Sequence, residues 1–173
     1  MEAVGAAGMV DDQWDSMAEP RFEPEPVDSA LARGLLDRYY SELAARFPGG
    51  AGAFELANIA APTTEFAPPQ GVFLIARLDG RAVGCGAVRT LGAGHAEIKR
   101  MWVDPAARGL GVGRGLLGAL EGAAVERGFR SVRLDTAAYL VEALALYLSA
   151  GYREVPAYND NPYAAHWLEK RLS

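Results

Sequence analysis

The run Arg108-Gly109-Leu110-Gly111-Val112-Gly113-Arg114 limits the chain most, because of what flanks it. Before it lies an apolar strand pattern, Ile98 to Val103; after it lies a helical pattern, Leu116 to Arg127, stopped by Gly128. Ser131 to Asp135 then reads as another short strand. Strand, helix and strand joined by short links make a parallel pair with a right-handed crossover. Glycines at 109, 111 and 113 leave backbone N–H groups free to approach a ligand, and the first N–H groups of a helix have no partner within it. With Arg108 and Arg114 beside them, these donors form a receptor for phosphate oxygens. The bland alternative is a loop that only turns the chain.

The other elements follow in order. Asp28 or Ser29 can cap a helix carrying Leu31, Leu35, Leu36, Tyr39, Tyr40 and Leu43 at helical spacing, ending near Phe47-Pro48-Gly49-Gly50. These aromatics, Phe47 included, read as core. A short helix is expected over Ala53 to Ile59. Val72 to Leu78 and Arg81 to Arg89 flank Asp79-Gly80, a strong hairpin signal, and Gly92-Ala93-Gly94 leads into His95 to Val103. Gly84 and Gly86 predict a bulge or a close neighbour. A helix over Tyr139 to Ser149 stops at Gly151, and Tyr152 to Val155 and Ala164 to Leu168 close the chain as strands. The fold class is α/β: a mixed, largely antiparallel sheet with one parallel crossover and helices on both faces.

Charge separates the first residues from the rest. Residues 1–26 hold seven acidic side chains and one basic one, so most of the net charge of −5 lies there and the other 147 residues are near neutral. This predicts a disordered or loosely attached acidic tail over 1–26, with a short edge strand possible at Glu23-Pro24-Glu25-Pro26, and one domain over 27–173. Near neutrality gives no reason to expect nucleic acid. Cys85 is the lone cysteine and reads as a small buried residue; His95 and His166 stand far apart, so no metal is expected. With no apolar leader or membrane-length run, the expected location is cytoplasmic, without membrane contact, as monomer or homodimer.

A dinucleotide fingerprint also fits Gly113-x-Gly115-x-x-Gly118, with Asp135 as a ribose acid. Against it, Asp104 to Ala107 already separate the strand from Arg108, and about forty residues after Asp135 are too few for the missing crossovers. No Gly-Lys-Ser/Thr exists for a Walker loop. Arg108-x-x-Gly111-x-Gly113 after Met101-Trp102-Val103-Asp104-Pro105 resembles instead the acetyl-coenzyme A loop of the GNAT superfamily of N-acetyltransferases. The resemblance runs from about Val72 to Lys170 and includes Ala96 to Met101, Leu134-Asp135-Thr136, and Leu146-Tyr147 followed by Gly151-Tyr152.

The resemblance implies direct acetyl transfer from acetyl-CoA to an amine. Met101, Trp102 and Val103 would pair with the pantetheine arm, and Arg108, Gly109, Leu110, Gly111, Val112, Gly113 and Arg114 would hold the pyrophosphate. Glu97 matches the general-base glutamate of histone-acetylating members; otherwise it is a surface acid paired with Lys99. Tyr147 matches the tyrosine that protonates the departing thiolate; otherwise it is core. Leu140 stands where many members carry Asn or Gln. The expected acceptor is a primary amine of a small or amino-acid-like molecule. Protein or peptide acetylation, favoured by an open groove, and CoA binding without turnover are the alternatives.

Overall fold

A computed structural model describes residues 18–55 and 63–173. Helix α1, Ala30–Arg46, starts where Ser29 accepts a hydrogen bond from Ala32 N and ends against Phe47. Strands β2, Gly71–Leu78, and β3, Arg81–Gly92, form a hairpin through Asp79 and Gly80, both at positive φ as a type I′ turn requires. Strand β4, His95–Val103, completes the expected meander. Helix α2, Val112–Glu126, crosses to β5, Ser131–Thr136; α3, Val141–Ser149, follows, then β6, Arg153–Glu154, and β7, His166–Arg171.

Among the described residues the sheet has seven strands once β1, Arg21–Pro24, is counted, in the order β1-β2-β3-β4-β5-β7-β6. Among these described strands only β4 and β5 are parallel neighbours. Along β2 the side chains alternate between faces. Phe73 and Ile75 pack with Leu35 and Leu36 of α1, whereas Val72 and Leu74 pack with Leu116, Leu117 and Leu120 of α2 and Tyr147 of α3. Helices therefore cover both faces.

Three expectations need correction. Residues 21–24 are not loosely attached: β1 pairs antiparallel with β2, and Phe22 packs so closely on α2 that a Cβ at Gly115 would come within 2.5 Å of its ring. The tail boundary therefore falls before β1; residues 1–17, including Trp14, lie outside the described residues. In place of the start of a helix over 53–59, one 3-10 turn occupies Ala51–Ala53, and 56–62 lie outside the described residues. Helix α2 begins at Val112, earlier than its apolar periodicity, because Gly113 and Gly115 carry no apolar side chain to announce it.

Candidate active site

The site is a gap in the sheet. The β4–β5 ladder ends at Glu97↔Arg133, after three residue pairs, and β4 from Ile98 onward runs without β5 beside it. A bulge contributes to the divergence: Cys85 pairs with Trp102 and Ala87 with Lys99, so Arg100 and Met101 together oppose Gly86. Arg100 sits at φ 58°, a conformation a long side chain rarely takes. Its Nε donates to Tyr40 Oη at 2.8 Å and its guanidinium lies 5.3 Å from the Phe66 ring centre. Gly86 is small for a packing reason as well, since a Cβ there would meet Leu120 at 2.7 Å.

Two cavities of about 360 Å³ each open from this gap. One is bounded by Met101, Trp102, Val103, Arg108, Gly109, Gly111, Gly113 and Arg114, with Leu140, Ala143 and Leu146 opposite. The loop that bounds it is built stepwise. Asp104 accepts from Ala106 N and caps the 3-10 turn Pro105–Ala107; Gly109 and Gly111 take φ +80°; Gly111 then caps α2. At Gly113 a Cβ would point between Leu146, 3.5 Å away, and Val103, 3.8 Å away, so its absence keeps the cavity open. These residues fit a pyrophosphate-bearing cosubstrate: glycine backbone, a helix N-terminus and two arginines converge there.

The other cavity lies beyond Met101, between β4, β5, α1 and the 155–165 loop. Lys99, Arg100, Asp135, Asn159, Asn161 and Tyr163 are among its walls. Tyr147 and Met101 line both cavities, as do Tyr39, Leu43, Leu140 and Ala143, so the two meet around them. The Tyr147 hydroxyl lies 3.9 Å from Met101 Sδ, a weak acceptor that leaves the proton available to a better one. Burial, and then the nearby Asp135 carboxylate, push the Tyr147 phenol well above the ordinary tyrosine value.

Residues 36–152 match the acetyltransferase (GNAT) family. The chain belongs to that family. It is 39% identical over 110 residues to an uncharacterized N-acetyltransferase of Schizosaccharomyces pombe, a match covering 62% of this chain and 66% of that protein. It is 36% identical over 132 residues to a protein of Azospirillum brasilense named IAA acetyltransferase, covering 75% and 80%. The PaiA N-acetyltransferase of Thermoplasma acidophilum, solved with coenzyme A, shares the fold at a TM-score of 0.66 and 15% identity, over 90% of this chain and all of that one.

Within this GNAT acetyltransferase the expected site residues divide. Met101, Trp102, Val103, Arg108, Gly109, Gly111, Gly113, Arg114 and Tyr147 line the cavities. Leu110 is 44% exposed and Val112 packs among Ala76, Leu78 and Val83, so these two offer backbone alone. Arg108 is engaged with protein: Nη2 donates to both Glu42 oxygens, at 2.7 and 2.8 Å, and Nε to Val103 O. Trp102 Nε1 also donates to Glu42. Burial works against it, yet the hydrogen bonds of Arg108 and Trp102 hold the Glu42 carboxyl below the usual carboxylate range. Leu140 lines both cavities and adds no polar group.

Glu97 is neither a surface acid nor a wall of either cavity. It is 0% exposed. Its Oε2 accepts from Arg89 Nε at 2.8 Å; Oε1 accepts from Tyr158 Oη at 3.2 Å and sits 3.1 Å from Lys99 Nζ. The strand places it one pair too early, beside Arg133 where the ladder is still closed. Cys85 is buried as expected, and burial pushes its thiol up to about 12. Tyr39, read as core, lines both cavities; Asp135, seen in the sequence only as a ribose acid to be rejected and as part of the resemblance, enters the acceptor-side cavity, as do Asn159 and Asn161, which carry no spacing signal. Among the described residues no cluster of His, Cys, Asp or Glu could hold a metal ion.

Proposed function

We propose that the enzyme is a cytoplasmic, acetyl-CoA-dependent N-acetyltransferase that acetylates the primary amine of a small or amino-acid-like molecule. The observation that carries the choice of acceptor is a bridge across its cavity. Tyr163, from the 155–165 loop, donates to Glu55 O at 3.3 Å and accepts from Glu55 N at 2.8 Å. The Phe54 ring stacks on Tyr163 at 5.1 Å, and Phe47 meets the edges of Phe54, Tyr139 and Tyr163. This cluster ties the segment after α1 to the loop across the cleft, where a peptide would need an open groove. Location and size of the cavities suit direct transfer, with the amine on one side of Met101 and the thioester on the other.

Tyr147, where the cavities meet, is the general acid in this reading. It gives its hydroxyl proton to sulfur as the C–S bond breaks with its electron pair on sulfur. Its raised value keeps it protonated throughout the physiological range, so wild-type turnover should show no alkaline fall below about pH 10. The test is acetyl-CoA consumption over amino acids, polyamines, aminoglycosides and peptides, for wild type and Tyr147→Phe. Small amines should be acetylated, and the variant should lose roughly 10²-fold in turnover with an unchanged acetyl-CoA dissociation constant. Turnover confined to peptides would replace the acceptor. Binding without turnover would replace the activity.

A further inference from the structure

We propose that Asp135, in place of Glu97, receives the acceptor's ammonium group and takes its proton; the inference rests on the amine-acceptor reading above. A base must present a lone pair to the amine. Both Glu97 oxygens are occupied by Arg89, Lys99 and Tyr158, and neither faces a cavity. Asp135 stands two residues beyond the last β4–β5 pair, so it lies where the gap has opened. Its side chain is 7% exposed, and it lines the acceptor cavity with Tyr147.

The carboxylate is held in one orientation. Oδ2 accepts from Asn159 Nδ2 at 2.6 Å and Lys99 Nζ at 3.3 Å, and Oδ1 from Asn161 Nδ2 at 3.2 Å. The cradle is itself fixed: Trp167 Nε1 donates to Asn159 Oδ1 and Tyr163 N to Asn161 Oδ1. An ionised carboxylate accepts about four hydrogen bonds, so three donors leave one position, on Oδ1, for an ammonium N–H. The other groups around it do not supply a competing base. Tyr147, Tyr39 and Tyr158 are phenols that burial keeps protonated, and Lys99, Arg89 and Arg100 are cations. Asp160, on the same loop as Asn159, is the other acid of this wall and is exposed.

The protons balance as follows. Asp135 Oδ1 takes one proton from R–NH3+, and the freed nitrogen pair forms the C–N bond at the acyl carbon. The C–S pair leaves on sulfur and is capped by the Tyr147 proton. The second nitrogen proton returns to the Tyr147 oxygen, and the Asp135 proton passes to solvent, one per turnover.

The test uses the full chain, acetyl-CoA and the primary amine with the highest turnover in the panel. Asp135→Asn should lose roughly 10²-fold at pH 7 with acetyl-CoA affinity unchanged. The deficit should narrow at least tenfold toward pH 10, where the free amine (pKa ~10) loses its proton unaided. A purely structural role predicts the same deficit at every pH, and that result, or wild-type turnover, would overturn the proposal. Should Asp135→Asn fail to bind acetyl-CoA, Asn161→Ala decides. It removes a donor to the ionised carboxylate, so the acid limb of the rate profile should move to higher pH; an unmoved limb would overturn the proposal. If wild type acetylates no amine, the acceptor reading falls and this one with it; a productive wild type confines failure to Asp135.

Discussion

A carboxylate's position along a strand decides its role here more than its identity does. Glu97 and Asp135 both sit on strands that bound the cleft, but the ladder is still closed at Glu97 and open at Asp135. Glu97 therefore behaves as a buried counterion. Glu97→Gln would leave Arg89 and Lys99, both partly exposed in the acceptor cavity, without one of their anions, a loss of about 2 kcal/mol, below that of a fully buried broken pair. Thermal or urea unfolding should register that loss, while turnover of the folded variant stays within a few-fold of wild type. A 10²-fold drop in turnover at unchanged stability would return Glu97 to the proton path. The sequence could not distinguish these outcomes. Lys99 is a visible neighbour two residues on, but Arg89 and Tyr158 reach Glu97 from another strand and a distant loop.

Elements defined by local chemistry were legible, and those defined by tertiary contacts were not. Ser29 caps α1 and Asp79-Gly80 turns the first hairpin because each signal acts within a few residues. The bulge at Arg100 is signalled only by Gly86 across the ladder; that Arg100 takes the extra position depends on α1 and Phe66 accepting its side chain and on Leu120 filling the space over Gly86. The glycine loop lies between. Its pattern predicts an anion receptor, but the separate tasks of its glycines emerge only in three dimensions. Gly109 and Gly111 supply φ +80°, whereas Gly113 is helical and keeps the cavity clear. Gly113→Val should consequently fold, because its Cβ meets only ordinary van der Waals contacts, yet weaken acetyl-CoA at least tenfold as its methyls enter the cavity. Calorimetry on the folded variant checks this, and unaltered affinity would remove the loop from the cosubstrate site.

Over the whole molecule, composition misplaced the start of the folded part. The acidic, proline-rich run placed the edge strand at residues 23–26, whereas β1 spans Arg21–Pro24 and contributes one aromatic side chain and a short ladder. Deleting residues 1–20 should change the melting temperature little, as the sequence of that stretch shows little apolar periodicity to bury. Deletion through residue 26 should cost about 2 kcal/mol or more, because it strips Phe22 from α2 and Glu23 from Arg77. Equal melting temperatures for the two truncations would show that β1 is dispensable.

An open sheet normally has two outer borders at which a second chain could add a strand and start aggregation. Here the divergence of β4 from β5 creates a third, inside the molecule, with α1 on one face of the sheet and α3 on the other. No neighbouring protein can reach it broadside, while a slender extended arm can enter lengthwise. A border enclosed in this way is not presented as a template for self-association.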